Sequence, residues 1–262
     1  MPQDFTPDEQ QALARDGFVI RERAFSAVEV GEIVDACEDL VQALIKDRRK
    51  KRFHLGSYTF DHSRSNHVTV KWEGDTDIVH GIEPFAHVSP VLEKWGYDAR
   101  FVDPMKQMVA DPAPELFTEK LNLKRPFHGG VNPLHQDYPY WVDGSKDATR
   151  IATAMLFLDA ADCENGCMEV LPGSHLRGKW PTRTDVDAFG QNEMDPKACE
   201  GLELVPVEVP AGTVLYFGSF LVHRSSPNRS ARERRALLYS YQPAGWPTSV
   251  EGFRKAFGDK TQ

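Results

Sequence analysis

From Leu116 onward the first run is FTEKLNLK (Phe117–Lys124) and the last is RRALLYSY (Arg234–Tyr241), two runs in which apolar and polar side chains largely alternate. A period of two sends successive side chains to opposite faces of an extended chain, so both runs predict strands. Six more short runs lie between them: the stretch around His135, Arg150 to Leu158, Cys167 to Leu171, Leu202 to Val209, Thr213 to Phe217 and Leu221 to Ser225. Eight short strands divided by turn residues predict a double-sheet jelly roll of the cupin type.

Upstream the pattern is helical. Thr6-Pro7-Asp8-Glu9 offers an N-cap, a first-turn proline and a capping-box glutamate, and Asp16-Gly17 ends that helix before a strand at Phe18-Val19-Ile20. Ser26-Ala27-Val28-Glu29 repeats the box, and Val28, Ile33, Val34, Cys37, Leu40, Val41 and Leu44 recur at helical spacing. Residues 53–90 read as loop or partial strand, Val68 to Trp72 being a candidate strand, followed by helices over 91–96 and Pro104 to Ala110. The expectation is a single domain over 1–262, mainly β with flanking helices. Its helical N-terminal part spans about 1–115 and its jelly-roll core about 116–245.

A formal charge of −8 argues against a surface built to neutralise nucleic-acid phosphates, and the one basic run, Lys46 to Arg52, reads as a solvated helix end. No apolar run is long enough to span a bilayer, and the polar, acidic start MPQDFTPDEQ lacks the features of a secretory signal. A cytoplasmic location without membrane or nucleic-acid partners is expected, and nothing in the chain sets its oligomeric state. Cys37, Cys163, Cys167 and Cys199 read as reduced thiols, because Cys163 and Cys167 have no second pair with which to complete a zinc site.

The chemistry concentrates in His135-Gln136-Asp137. On an extended strand His135 and Asp137 project from one face, and His223, 86 residues after Asp137, lies on a later strand that a Greek key can return to them. Two histidines and one carboxylate on one face of an octahedron leave three positions open, the arrangement of non-haem Fe(II) oxygenases. Gly129, Gly130 and Pro133 precede the triplet and Tyr138, Tyr140 and Trp141 follow it, a glycine-rich approach and an aromatic wall suited to a pocket. Ser225 shares the face of His223. Arg234 opens the last strand with Ala236, Leu238 and Ser240 on its own face, which leaves room for a carboxylate against its guanidinium. Arg235, on the other face, is the alternative clamp, and Arg232 reads as solvated. His175 reads as a turn residue held by hydrogen bonding, and His54, His62, His67, His80, His87 and His128 as surface or substrate-pocket residues without ligand spacing.

Taken in order, His135-Gln136-Asp137, then ENGCMEVLPGSH (Glu164–His175), then His223-x-Ser225-x-x-Asn228-x-Ser230, then Arg234 resemble the phytanoyl-CoA dioxygenase family, and Asp16-Gly17-Phe18-Val19 extends the likeness to the N-terminus. The resemblance implies an Fe(II)- and 2-oxoglutarate-dependent dioxygenase that uses O2 to hydroxylate, or otherwise oxidise, a C–H bond of a small molecule, releasing succinate and CO2. It implies His135, Asp137 and His223 as iron ligands, Arg234 on the distal carboxylate of 2-oxoglutarate, Ser225 assisting, and Asn122 as a further co-substrate contact. An intact carboxylate at Asp137 favours oxidation over halogenation, since halogenating relatives have a small residue there. Residues 56–88, including Lys71, Trp72 and Glu73, together with Tyr138, Tyr140 and Trp141, are candidates for the substrate pocket. The competing readings are a cupin-like binding module and a redox-inactive enzyme with zinc or manganese on the same triad, neither of which accounts for Arg234.

Overall fold

In the computed structural model, which describes residues 3–46, 53–55, 58–63, 67–184 and 192–251, both capping boxes close. Thr6 N–H donates to the Glu9 carboxylate at 2.8 Å while the Thr6 hydroxyl accepts from Glu9 N–H at 3.3 Å, starting α1 (Pro7–Asp16). Gly17 ends it in the left-handed region at φ 87°, which glycine enters without steric cost. After β1 (Phe18–Arg21), Ser26 and Glu29 form the second reciprocal pair and start α2 (Ala27–Lys46). Its buried stripe is Val30, Ile33, Cys37, Leu40 and Val41, whereas Val28, expected on that stripe, is 73% exposed because it sits about 200° around the helix from Val30. The basic run after Lys46 lies outside the described residues.

The region expected to be mostly loop is strand: β2 (Phe53–Leu55), β3 (Tyr58–Ser63), β4 (Val68–Trp72) and β5 (Val79–Glu83). The N-terminal part is therefore not simply helical. These strands are legible only through pairing, since each is short and lays its backbone on the neighbouring ladder. Two helices follow, α3 (Pro90–Gly96) and α4 (Ala99–Met108). Helix α4 starts earlier than expected because Asp98 caps it, and Pro104 lies inside it. A proline there cannot donate to the carbonyl of Arg100, and the Tyr216 hydroxyl donates to that oxygen instead, at 2.7 Å. Tyr216→Phe leaves this carbonyl unmet and is expected to cost about 1–2 kcal/mol, read as a lower urea midpoint at unchanged m-value.

The remaining strands are β6 (Glu115–Lys124), β7 (Asn132–His135), β8 (Ala152–Phe157), β9 (Met168–Val170), β10 (Val205–Val207), β11 (Val214–Gly218), β12 (His223–Ser225) and β13 (Arg234–Gln242), with the short helix α5 (Tyr138–Trp141) after β7. The larger sheet runs β1-β11-β8-β13-β6-β5-β4-β3-β2 and the smaller β10-β9-β12-β7. The eight expected core strands thus divide four and four between two sheets, a jelly roll. Parity along the strands then builds two cores. Ala152, Ala154, Leu156, Leu121, Leu123, Leu237 and Tyr239 face outward and pack with Phe25, Ile33, Cys37, Leu92, Phe101 and Met105 from the helical region. Met155, Phe157, Leu215, Phe217 and Ala236 face inward against Met168, Val170, Val207 and Val209. The inter-sheet space is apolar at this end; polar side chains are carried by β6 in the larger sheet (Lys120, Asn122, Lys124) and by β7 and β12 in the smaller (Asn132, His135, His223, Ser225).

Candidate metal centre and anion cradle

His135 and His223 are cross-strand partners on β7 and β12, which sets their ring centroids 4.1 Å apart. Asp137 arrives differently from expectation. The strand stops at His135, and Asp137 has helical backbone angles, φ −72° and ψ −27°, at the start of α5. The bend is held by Gln136, fully buried, whose side-chain amide donates to the carbonyls of Gly178 (2.9 Å) and Phe220 (2.6 Å) and accepts from Trp180 N–H at 2.9 Å. The result still brings the three donors together. Asp137 Oδ1 lies 3.8 Å from His135 Nε2, and one donor atom from each of the three residues falls within 4.8 Å of the others.

The imidazoles are set for coordination. His135 Nδ1 lies 2.7 Å from the Pro133 carbonyl and His223 Nδ1 lies 3.0 Å from that of Leu221. A carbonyl can only accept, so each Nδ1 carries the proton and each Nε2 presents a lone pair. Burial, and then His223 beside it, hold His135 well below the usual histidine range, in the neutral form that binds metal.

The inward face of the larger sheet carries a pair of buried cations. Arg234 is 1% exposed, and its Nε and Nη1 have no hydrogen-bond partner among the described residues. Its cross-strand partner on β6 is Lys124, also 1% exposed, whose ammonium donates to the Gly130 carbonyl. Burial, and next the Arg234 charge, push Lys124 down to about 6. Like charges opposite one another in a sheet are unfavourable, and a buried unsatisfied guanidinium more so, unless an anion joins them. The alternative clamp is otherwise engaged: Arg235 forks onto Asp159 at 2.9 and 2.8 Å and also reaches Glu38. Arg232, exposed, pairs with Asp162 and Glu164.

Ser225 and Asn122 both face the inter-sheet space. The Ser225 hydroxyl accepts from Asn132 Nδ2 at 3.1 Å, which leaves its own proton to donate elsewhere. Asn122 sits between Ala236 and Gly81 in the ladder, two small residues that keep space around it. His80, read as a surface or substrate-pocket residue, is not on the surface: it is buried and bridges Glu73 (2.5 Å) to Asn132 (3.2 Å). It is the extra residue of a β-bulge, since Lys71 pairs with Gly81 and Trp72 with Val79.

Other expected pocket residues divide. Tyr140 lies edge-on to His135 at 5.7 Å, and Tyr138 stacks on Phe220. Trp141 packs in a core with Phe117, and Trp72 lies in the outer core. His175 packs its ring against Gly17, where a Cβ would stand 2.4 Å from Nδ1, and that nitrogen has no hydrogen-bond partner among the described residues. The family-like motifs have structural work too: Ser174 Oγ accepts from Val222 N–H beside His223, and Asn228 binds the carbonyls of Lys124 and Arg232. All four cysteines are free thiols.

Residues 13–236 match the family model described as phytanoyl-CoA dioxygenase. The chain belongs to the phytanoyl-CoA dioxygenase family. Relatives in or near it include L-proline trans-4-hydroxylase of Streptomyces griseoviridis, 30% identical over 183 residues, which are 62% of this chain and 66% of that one. Methylphosphonate hydroxylase of Gimesia maris is 33% identical over 134 residues, 51% of this chain and 47% of that one. The matches to this family member thus span between 47% and 66% of the length of these two relatives. Among solved structures, EctD from S. alaskensis with 2-oxoglutarate and 5-hydroxyectoine superposes with a TM-score of 0.72 at 22% identity, over 91% of this chain and 76% of that one. At that identity the likeness is one of fold, the jelly roll. Among the described residues no helix is long and apolar enough to cross a membrane.

Proposed function

We propose that this phytanoyl-CoA dioxygenase family member is an Fe(II)- and 2-oxoglutarate-dependent dioxygenase that hydroxylates, or otherwise oxidises, a C–H bond of a small molecule. The observation that carries the proposal is Arg234: a buried guanidinium with Nε and Nη1 unpartnered among the described residues, opposite a buried lysine, in a jelly roll that also brings two histidines and one carboxylate together. A metal-binding module has no use for that cation, and neither has a zinc or manganese hydrolase. A dicarboxylate co-substrate does.

His135, Asp137 and His223 would hold the iron through Nε2, a carboxylate oxygen and Nε2. Arg234, with Lys124 behind it, would take the distal carboxylate of 2-oxoglutarate, Ser225 would donate its hydroxyl proton to the same group, and Asn122 would touch the co-substrate from β6. Iron and 2-oxoglutarate together supply the oxidising power drawn from O2, with succinate and CO2 as products. The protein's own part is orientation and exclusion of water, for which the apolar inter-sheet core behind Phe157 and Phe217 and the ring of Tyr140 are placed. Free thiols and a site for ferrous iron suit a reducing compartment, the cytoplasm.

Anaerobic addition of Fe(II) and 2-oxoglutarate is expected to produce a weak visible charge-transfer band. Admitting O2 is then expected to release succinate slowly even without substrate. Neither band nor succinate from iron-reconstituted protein would overturn the proposal.

A further inference from the structure

A hydrogen-bonded chain that none of the assigned roles uses ends on Ser225. His80, 3% exposed, is inserted into β5 by the bulge opposite Lys71 and Trp72, and each of its ring nitrogens meets an oxygen. Nδ1 lies 2.5 Å from Glu73 Oε1, and Nε2 lies 3.2 Å from Asn132 Oδ1. Asn132 in turn donates from Nδ2 to Ser225 Oγ at 3.1 Å. The chain therefore crosses from β5 in the larger sheet to β7 and β12 in the smaller, where Asn132 and Ser225 are cross-strand partners.

Hydrogen-bond complementarity gives this chain a direction. An amide oxygen can only accept, so His80 carries a proton on Nε2, and a second proton joins Nδ1 to the Glu73 carboxyl. With its Oδ1 held by His80, Asn132 turns Nδ2 toward Ser225. The Ser225 oxygen then accepts, and the hydroxyl proton is left for a third group. Turned over, the same amide would set Oδ1 against Ser225 and draw the hydroxyl proton to itself. His80 is what selects between the two. The far end of the chain is fixed as well. Glu73 Oε1 also accepts from Gly130 N–H at 2.8 Å, and the Gly130 carbonyl accepts from the Lys124 ammonium. One carboxylate thus ties the lysine opposite Arg234 to the hydroxyl on the other sheet. Burying an imidazole in this way carries a desolvation cost that an apolar bulge residue would avoid.

We infer that His80 is a positioning residue for the co-substrate: through Asn132 it fixes the direction of the Ser225 hydroxyl, so that its proton is donated to the distal carboxylate of 2-oxoglutarate. The inference deepens the oxygenase proposal and rests on its assignment of Ser225.

The test is a double-mutant cycle on 2-oxoglutarate affinity, titrated anaerobically into the Fe(II)-loaded full chain and read from the charge-transfer band. Ser225→Ala and His80→Leu are each expected to weaken binding by about tenfold, the scale of one hydrogen bond to a charged group. The two together should weaken it no more than either alone, because both remove the same contact. His80→Gln, whose amide can donate to Asn132 as Nε2 does, should restore most of the affinity. Asn132→Leu cuts the link with the histidine intact and should show the same loss and the same non-additivity, which keeps the test should His80→Leu not fold. Losses that multiply, affinity unchanged in Ser225→Ala or in both His80→Leu and Asn132→Leu, or His80→Gln binding as weakly as His80→Leu would overturn the inference while leaving the oxygenase proposal standing. Unmodified protein that holds iron but no 2-oxoglutarate would sink the oxygenase proposal and this inference with it.

Discussion

His135→Ala is expected to abolish iron binding and, with it, both the anaerobic charge-transfer band and succinate release. His135 is the hinge of the cluster: it ends β7, pairs across to His223, and is the residue from which the chain turns to bring Asp137 back within 3.8 Å of its Nε2. Removing its imidazole leaves two donors on a site whose remaining positions belong to 2-oxoglutarate and O2, too few to retain ferrous iron. Stability should change little, because the ring's aromatic contacts are with His223 and Tyr140 and His135 itself belongs to none of the apolar clusters. Iron content by metal analysis and the thermal midpoint, measured on the same preparation, separate loss of metal from loss of fold. His175→Ala is the contrasting control. Its ring packs on Gly17, so the variant should keep full iron stoichiometry, and loss of iron there would move the metal site away from the proposed triad.

The two runs that announce the fold also show where sequence reasoning stops. Alternation in Phe117–Lys124 and Arg234–Tyr241 identifies strands, and their partners β7–β12 follow from the same period and the turns between. Alternation does not say which face meets water, and here neither face is simply solvated. Leu121 and Leu123 meet the helices, while Lys120, Asn122 and Lys124 point between the sheets. Lys124 could have been found, since it shares parity with Asn122, which the family resemblance singles out. His80 could not, because a bulge aims it, and a bulge belongs to the pairing of two strands. Nor could the conformation of Asp137. An i, i+2 pair converges on a strand and also across a strand-to-helix bend, and what selects the bend is buried Gln136, whose partners lie 42 to 84 residues away.

Arg234→Met is expected to separate function from stability in opposite directions. Affinity for 2-oxoglutarate should fall by about a hundredfold or more, since the variant loses a charge-assisted fork onto a carboxylate in a dry site. Iron binding should persist, because no ligand changes. The protein without co-substrate, however, should become more stable by about 1 kcal/mol, as replacing an unsatisfied buried charge with an apolar chain of similar length removes its desolvation penalty. The pH dependence should change with it. Lys124, held at about 6 in the fold against an ordinary 10.5, binds fewer protons folded than unfolded between those values, so stability without co-substrate rises with pH across that window. Arg234 contributes part of that depression, and without it the slope should flatten at its lower end. Saturating 2-oxoglutarate should raise the midpoint of the unmodified protein and leave that of Arg234→Met almost unmoved. A variant that lost stability while keeping its 2-oxoglutarate affinity would make Arg234 a structural cation and return the clamp to Arg235, whose present partners, Asp159 and Glu38, would then have to release it.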